Sequence, residues 1–374
     1  MAQEGAEIWR DWATYLRASD PAGLATFAEV GMLFLPPRID ENTERIISHM
    51  RELGLEAEIL PPEAIVRRFP FMDPASHSPV RSPRDADFFD PTGRRIDGAV
   101  FEPRAGYVVS PSIATHNLRV AGEREGVEFI LGGEITRIER SGGASPRHEV
   151  VLADGSRICA DVLVNAAGPH SGVINRMAGV NIGIETRPLR RETHAVSNPA
   201  WGSHEVAVPV VGDVDSGTYF RPESGGRDLI CGSLDPACDQ LEWVDDPDEF
   251  DPNTTEEAFE RQVMRLMKRY PDVRLGRRRG VAGMYDVTTL DWNPVLDRTE
   301  LDGFYTAIGT SGSSFKTAPV IGALMAELIV ATEGGKDHDK EPLQVRLPRC
   351  GFVVDMRFFS RLRSPHTTSG TVLA

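Results

Sequence analysis

The stretch from Phe304 to Ile329 limits the folding options of this chain more than any other. It opens with Phe304-Tyr-Thr-Ala-Ile308, which reads as a buried strand. It continues through Gly309-Thr-Ser-Gly-Ser-Ser-Phe-Lys316 into a helix with Val320, Ile321, Leu324, Met325, Leu328 and Ile329 on one side. Strand, small-residue turn and helix in that order present main-chain N–H groups at a helix start, where they are unpaired and carry partial positive charge. Gly309 and Gly312 let that backbone approach a ligand closely, so an anionic ligand group is favoured there. An ordinary strand-to-helix turn uses the same residues, and the residues alone do not choose.

Asp161-Val-Leu-Val-Asn-Ala-Ala-Gly168 is a second apolar run entering a small-residue turn, as expected of a strand covered on both faces in a parallel sheet. Small residues at its carboxyl end suit a ligand crevice or plain helix–strand packing. Ahead of it the pattern predicts helices over 7–17 and 41–53, a strand over 31–35 and, from Pro61 to Pro103, irregular connections with short pieces of structure. A helix capped by Ser110 should run to about Glu125, followed by strands at Val127–Leu131, Ile135–Ile138, Glu149–Leu152 and Arg157–Cys159. Residues 187–250 read as antiparallel strands with Gly, Pro and Asp turns. A helix from Thr254 to Tyr270 starts with a Thr254–Glu257 capping box. Gly283–Asp297 places polar and aromatic residues between apolar strands, as a cavity lining or a solvated loop would.

At 374 residues the chain can build one two-lobed domain or two domains, and its net charge of −15 disfavours nucleic acid and anionic lipid as partners. No apolar run approaches the ~20 residues of a bilayer span, and the N-terminus lacks the pattern of a secretory signal. Cytoplasmic residence and buried free thiols at Cys159, Cys231, Cys238 and Cys350 are the corresponding expectations. The Arg277–Arg279 cluster reads as a solvated face. Nine dispersed histidines show no metal spacing, so no metal site is expected. There is no G-x-G-x-x-G, P-loop, HExxH or G-x-S-x-G.

Taken in order, Ile8–Leu16, Val30-Gly-Met-Leu-Phe, Ala105-Gly-Tyr-Val-Val-Ser-Pro, Gly126-Val-Glu-Phe, Ala153-Asp-Gly, Asp161–Pro169, Tyr219-Phe-Arg-Pro-Glu, Met284-Tyr-Asp-Val-Thr and Gly309–Lys316 carry a likeness. The chain resembles the FAD-dependent family of sarcosine oxidase, glycine oxidase and dimethylglycine dehydrogenase. The resemblance implies a mixed α/β fold. A Rossmann-like FAD-binding domain, lacking its first βαβ unit, would take 1–32, 104–187 and 281–345. An antiparallel-sheet substrate domain would take 33–103 and 188–280, leaving 346–374 as a tail. It implies FAD near Ile135, Ala167, Gly168, Gly309, Ser311, Gly312, Ser313, Ser314, Phe315 and Lys316. The Gly309–Lys316 turn would meet the flavin pyrimidine edge. Lys316 would pair with a substrate carboxylate, with Tyr285 and Tyr219 beside it.

The resemblance further implies oxidation of the C–N bond of a small N-methyl or secondary amino acid, with electrons passing to an unidentified acceptor. Gly283 stands where sarcosine oxidases of this pattern carry the cysteine that bonds flavin, so FAD is expected to be non-covalent. Ile230 and Leu234 fall where those oxidases have a lysine that activates oxygen and a histidine, which points to a dehydrogenase. The absent glycine fingerprint leaves two further expectations open: an inactive fragment, or one part of a split enzyme whose partner supplies the missing N-terminal unit. A flavoenzyme acting on 2-hydroxy acids or glycerol phosphate is the other enzymatic alternative.

Overall fold

The computed structural model describes residues 1–90, 92–142, 145, 147–202 and 207–368. Its largest sheet has nine strands. From one edge they are Glu242–Trp243, Thr186–Ser197, Asp228–Ser233, Thr218–Glu223, Val210–Asp213, Met32–Leu35, Ala99–Glu102 and Glu58–Leu60, with Gly280–Thr288 also pairing along Thr186–Ser197. All neighbours are antiparallel except Val210–Asp213 against Met32–Leu35. Alternation explains why one face is dry: Leu33, Leu35, Val211, Phe220, Leu229 and Cys231 point to one side. The Glu256–Arg269 helix covers that side with Phe259, Val263 and Leu266.

A second body is built on the short sheet Val295–Arg298, Phe304–Ile308 and Leu163–Asn165. Phe304–Ile308 runs parallel to Leu163–Asn165. The Ala318–Glu333 helix packs on it with Val320, Leu324, Met325 and Leu328, beside Trp9 and Trp12 of the N-terminal helices. A three-stranded antiparallel sheet, Ile135–Arg140, His148–Leu152 and Arg157–Ala160, closes the far side. This is the mixed α/β architecture expected, and the predicted strand Phe304–Ile308 has the observed bounds.

Several local expectations are corrected. The helix read over 7–17 is two, Ala2–Arg10 and Trp12–Leu16, broken at Asp11 where φ is −111 and ψ 40. The stretch from Pro61 to Pro103 holds, as its short pieces of structure, a helix at Pro62–Arg68 and the strand Ala99–Glu102, while Glu58–Leu60 just ahead of it is a strand that the sequence did not announce, because the large sheet supplies its partner. The cap of the Glu256–Arg269 helix is Thr255, whose Oγ1 accepts from the Ala258 N–H, not Thr254. Residues 127–131 form no strand; they have no ladder partner, and Val127, Ile130 and Leu131 are 49%, 53% and 76% exposed. Leu163–Asn165 is parallel as expected but lies at a sheet edge, with Val164 exposed. Of the cysteines only Cys231 is buried; Cys159 and Cys238 are exposed. Phe315–Glu333 is apolar enough over 19 residues to span a bilayer by composition, contrary to the sequence reading, though one face of it lies in the core. The Arg277–Arg279 cluster is exposed, as expected.

Candidate active site

Two strands converge on the glycine-rich turn. Phe304–Ile308 delivers the chain into Gly309, and Gly280–Thr288 passes alongside with Tyr285 and Asp286. Gly309, Ser311 and Gly312 all adopt left-handed backbone, with φ of 70, 49 and 80. Only glycine takes such angles without strain, so the two glycines are demanded by the turn. The Gly309 N–H donates to Asp286 Oδ2 at 2.7 Å, and the Ser311 N–H donates to the Asp286 carbonyl at 2.8 Å. Gly312 lies flat on the Tyr285 ring, which a Cβ there would overlap.

The turn therefore has an inner and an outer part. Gly309 and Ser311 are buried and spend their N–H groups on Asp286, so they hold the turn in shape. Gly312, Phe315 and Lys316 face outward, with Ser313 and Ser314 half-buried between them. The Ser313 and Ser314 hydroxyls donate to the Thr310 carbonyl, and Lys316 Nζ donates to the Ser313 carbonyl at 2.8 Å. The N-terminal helix clamps the turn from behind: Trp9 Nε1 donates to the Lys316 carbonyl at 3.0 Å, and the Trp9 ring stacks on Phe315 with centroids 5.4 Å apart. Gly5 allows this approach, since a Cβ would strike the Lys316 carbonyl.

Lys316 touches water, yet burial pushes its ammonium below the ordinary lysine range. The tyrosines share that setting. Burial first, then the neighbouring Tyr285, pushes the Tyr219 phenol far up, although part of its surface remains accessible. Burial likewise raises Tyr285, opposed by Arg191, whose guanidinium lies 5.7 Å from the Tyr285 ring. Tyr219 Oη is 3.2 Å from Thr193 Oγ1. The fold thus brings Tyr285 and Tyr219 together and lays Gly312, four positions before Lys316, against the Tyr285 ring.

Ala167 and Gly168 form the turn after Leu163–Asn165, shaped by Asn165. That side chain accepts from the Ala167 N–H and donates to the Ser171 carbonyl and Asn175 Oδ1. A Cβ on Gly168 or Gly283 would meet no atom within 4 Å, so both open on space. Ile135 packs against the buried cluster that includes Val295, Phe304 and Ile308, away from the turn's exposed outer part. Asp286, Asn165, Arg191 and Trp9 act on the site without having been singled out by their chemistry. Asp286 and Asn165 sit inside motifs that were noted, but only the tertiary contacts give them a role. A cavity of about 700 Å³ lined by Ser82, Arg84, Glu242, Glu257 and Arg261 lies at the Glu256–Arg269 helix and shares no residue with the turn. Among the described residues no group of three His, Cys, Asp or Glu is placed to hold a metal.

Residues 1–328 match the family described as "FAD dependent oxidoreductase", abbreviated DAO. The chain belongs to the DAO family of FAD-dependent oxidoreductases. It is 33% identical over 181 residues to FAD-dependent oxidoreductase domain-containing protein 1 of Mus musculus, covering 45% of this chain and 35% of that protein. It is 25% identical over 309 residues to sarcosine oxidase subunit beta of Rhizobium meliloti, covering 82% of this chain and 65% of that one. The DAO-family chain thus spans between about a third and two thirds of the length of these relatives. Its fold superposes on L-proline dehydrogenase from P. horikoshii with a TM-score of 0.69 and 21% identity, over 96% of this chain and 81% of the other. The residues present fit the family's cofactor. Nothing crowds the faces of Gly168 and Gly283, and the outer part of the Gly309–Lys316 turn, which leads into a helix start, is exposed, so none of these positions obstructs a planar group.

Proposed function

We propose that this DAO-family chain forms the reaction centre of an FAD-dependent enzyme that oxidises the C–N bond of a small N-methyl or secondary amino acid. The observation that carries this reading is Lys316: an exposed ammonium whose surroundings disfavour its charge, four positions beyond the Gly312 that meets the Tyr285 ring, on a turn leading into a helix start that favours negative charge. Lys316 binds the substrate carboxylate as a point charge. Tyr285 and Tyr219 stay neutral phenols and wall the carbon side of the substrate. Bound FAD would supply the two-electron acceptor. The hydrogen on the α-carbon or N-methyl carbon leaves with its electron pair, the nitrogen lone pair closes a C=N bond, and water then hydrolyses the imine to carbonyl and amine.

Gly283 offers no thiol, which supports a non-covalent cofactor. Ile230 and the buried Leu234 place apolar groups where a lysine and a histidine would assist oxygen, which supports an acceptor other than oxygen. The relatives described as sarcosine oxidase subunits beta support an enzyme with further subunits. The exposed strip Val127, Phe129, Ile130 and Leu131, together with Val164 on its sheet edge, supports a specific place for another segment. A glycine-rich strand–turn–helix unit from outside the described residues, in the same polypeptide or a partner, would cover that strip and cradle the cofactor's pyrophosphate.

The test is the flavin spectrum after gel filtration, recorded for this chain, for any longer product of its gene and for co-expressed neighbours. Anaerobic bleaching is then scored against sarcosine, proline, glycine, lactate and glycerol 3-phosphate. Bleaching by a secondary amine is the expected result. A flavin band bleached only by the hydroxy compounds would overturn the substrate assignment, and no flavin band in any preparation would overturn the whole reading.

A further inference from the structure

Asp286 lies opposite Pro188 on the neighbouring strand and is 3% exposed. Through its side chain and its carbonyl it takes both buried N–H groups of the glycine-rich turn, those of Gly309 and Ser311. Oδ1 has no aligned hydrogen-bond partner among the described residues, and neither has the nearby Ser171 hydroxyl. Burial pushes the carboxyl up to about 6, against smaller opposing effects from the Gly309 N–H and the Ser171 and Thr186 hydroxyls.

The charged groups on the elements packed around it are otherwise engaged. Arg187 faces Asp245 at 3.5 Å, and Arg191 bonds Asp235 and the Ser233 carbonyl. His170 faces Asp248 at 2.8 Å, Lys316 bonds the Ser313 carbonyl, and Arg176 is exposed. None of them bonds Asp286.

A buried carboxylate with one poorly aligned oxygen and no counter-charge costs stability. An asparagine would keep the acceptor for Gly309 and give Ser171 a donor, so packing alone does not ask for an acid here. What the acid adds is charge, placed directly behind a turn whose front favours anions. Negative charge on both sides of one turn is unfavourable unless one side takes a proton.

We propose that Asp286 is the positioning residue of this turn, holding Gly309 and Ser311, and that it takes up one proton from solvent when negative charge arrives on the outer face. The step is the carboxylate plus a proton giving the carboxylic acid; no electrons move in it. It rests on the flavin reading above for the identity of the incoming charge.

Two measurements test it. Without cofactor, urea midpoints are compared for wild type, Asp286→Asn and Asp286→Ala from pH 4 to 8. Asp286→Asn should lie above wild type at pH 7.5 and converge with it only as pH falls toward 4, while Asp286→Ala, lacking the acceptor, lies below Asp286→Asn throughout. Parallel curves for wild type and Asp286→Asn mean that the residue does not titrate in this range and end the proposal. With flavin bound, the infrared difference between reduced and oxidised protein should show a protonated-carboxyl band in wild type that Asp286→Asn lacks. Absence of that band in flavin-loaded wild type overturns the proton uptake. Protein that binds no flavin in any form removes the flavin reading and the uptake with it, while the urea curves still decide whether Asp286 is a titrating clamp.

Discussion

At the scale of single residues, the candidate site depends on two side chains that do different work and should fail differently. Gly312 is needed for shape. Any Cβ there meets the Tyr285 ring at a φ of 80, and left-handed backbone alone costs a non-glycine residue roughly 1–2 kcal/mol. Gly312→Ala should therefore lower the urea midpoint and flavin retention together, both read on the same purified sample. Lys316 is needed for charge. Its long stem is exposed, so Lys316→Met should fold normally. Loss of a charged hydrogen bond worth ~1.5–3 kcal/mol should raise KM for a carboxylate substrate about ten- to a hundredfold, with kcat far less affected. A KM unchanged in Lys316→Met would remove the lysine from substrate binding.

Whole elements hold these residues in place, and the C-terminal segment does so from a distance. Arg363 on the tail is 2% exposed in its side chain and pairs with the fully buried Asp291. It donates to both Asp291 oxygens at 2.8 and 2.9 Å, and to the carbonyls of Asn293 and Pro294. That loop follows directly on the Gly280–Thr288 strand, so the tail fixes the far end of the strand that carries Tyr285 and Asp286. Removing one partner of a buried pair costs ~3–5 kcal/mol. Arg363→Ala should lower the thermal midpoint far more than Ser110→Ala. That substitution deletes only the cap accepting from the Ile113 N–H at 3.3 Å, worth ~1 kcal/mol. Equal losses in the two variants would show that the tail is not a structural latch.

The molecule as a whole combines buried ion pairs with opposing pH effects. Arg269 is fully buried between the fully buried Asp213 and Asp215, joining the Glu256–Arg269 helix to the large sheet. Burial raises the Asp239 carboxyl, but Arg265 outweighs it and the net shift is downward. A lowered carboxylate contributes stability that is present above its unfolded value and lost as pH falls through its folded one. Asp286 works in the other direction: its contribution is present below about 3.8 and lost as pH rises through about 6. Ionising Asp286 thus costs the fold on the order of 3 kcal/mol by pH 7. Denaturation from pH 4 to 7 should show a flatter rise in stability for wild type than for Asp286→Asn, and identical slopes would refute the opposing term.

What the sequence determined by itself was local and periodic. Apolar runs of strand length, the capped Pro111–Arg124 helix and the Gly309–Lys316 turn are stated in neighbouring residues, because alternation, capping and left-handed backbone act over a few positions. The ordered motifs carried the likeness to a family, which implied the mixed α/β class, and the matched residues 1–328 show that family. Tertiary structure decided what depends on a distant partner. Val127–Leu131 has the composition of a strand yet forms none, since a strand needs a neighbour for its N–H and C=O groups and none of the described residues pairs with it. Ala99–Glu102, in a stretch without periodicity, became a strand because Met32–Leu35 and Glu58–Leu60 flank it. Asp286 was one letter in a motif until Gly309 and Ser311, more than twenty positions on, turned their N–H groups onto it. Hydrogen bonds and burial are properties of positions in space, and a chain read one residue at a time contains them only after it has folded.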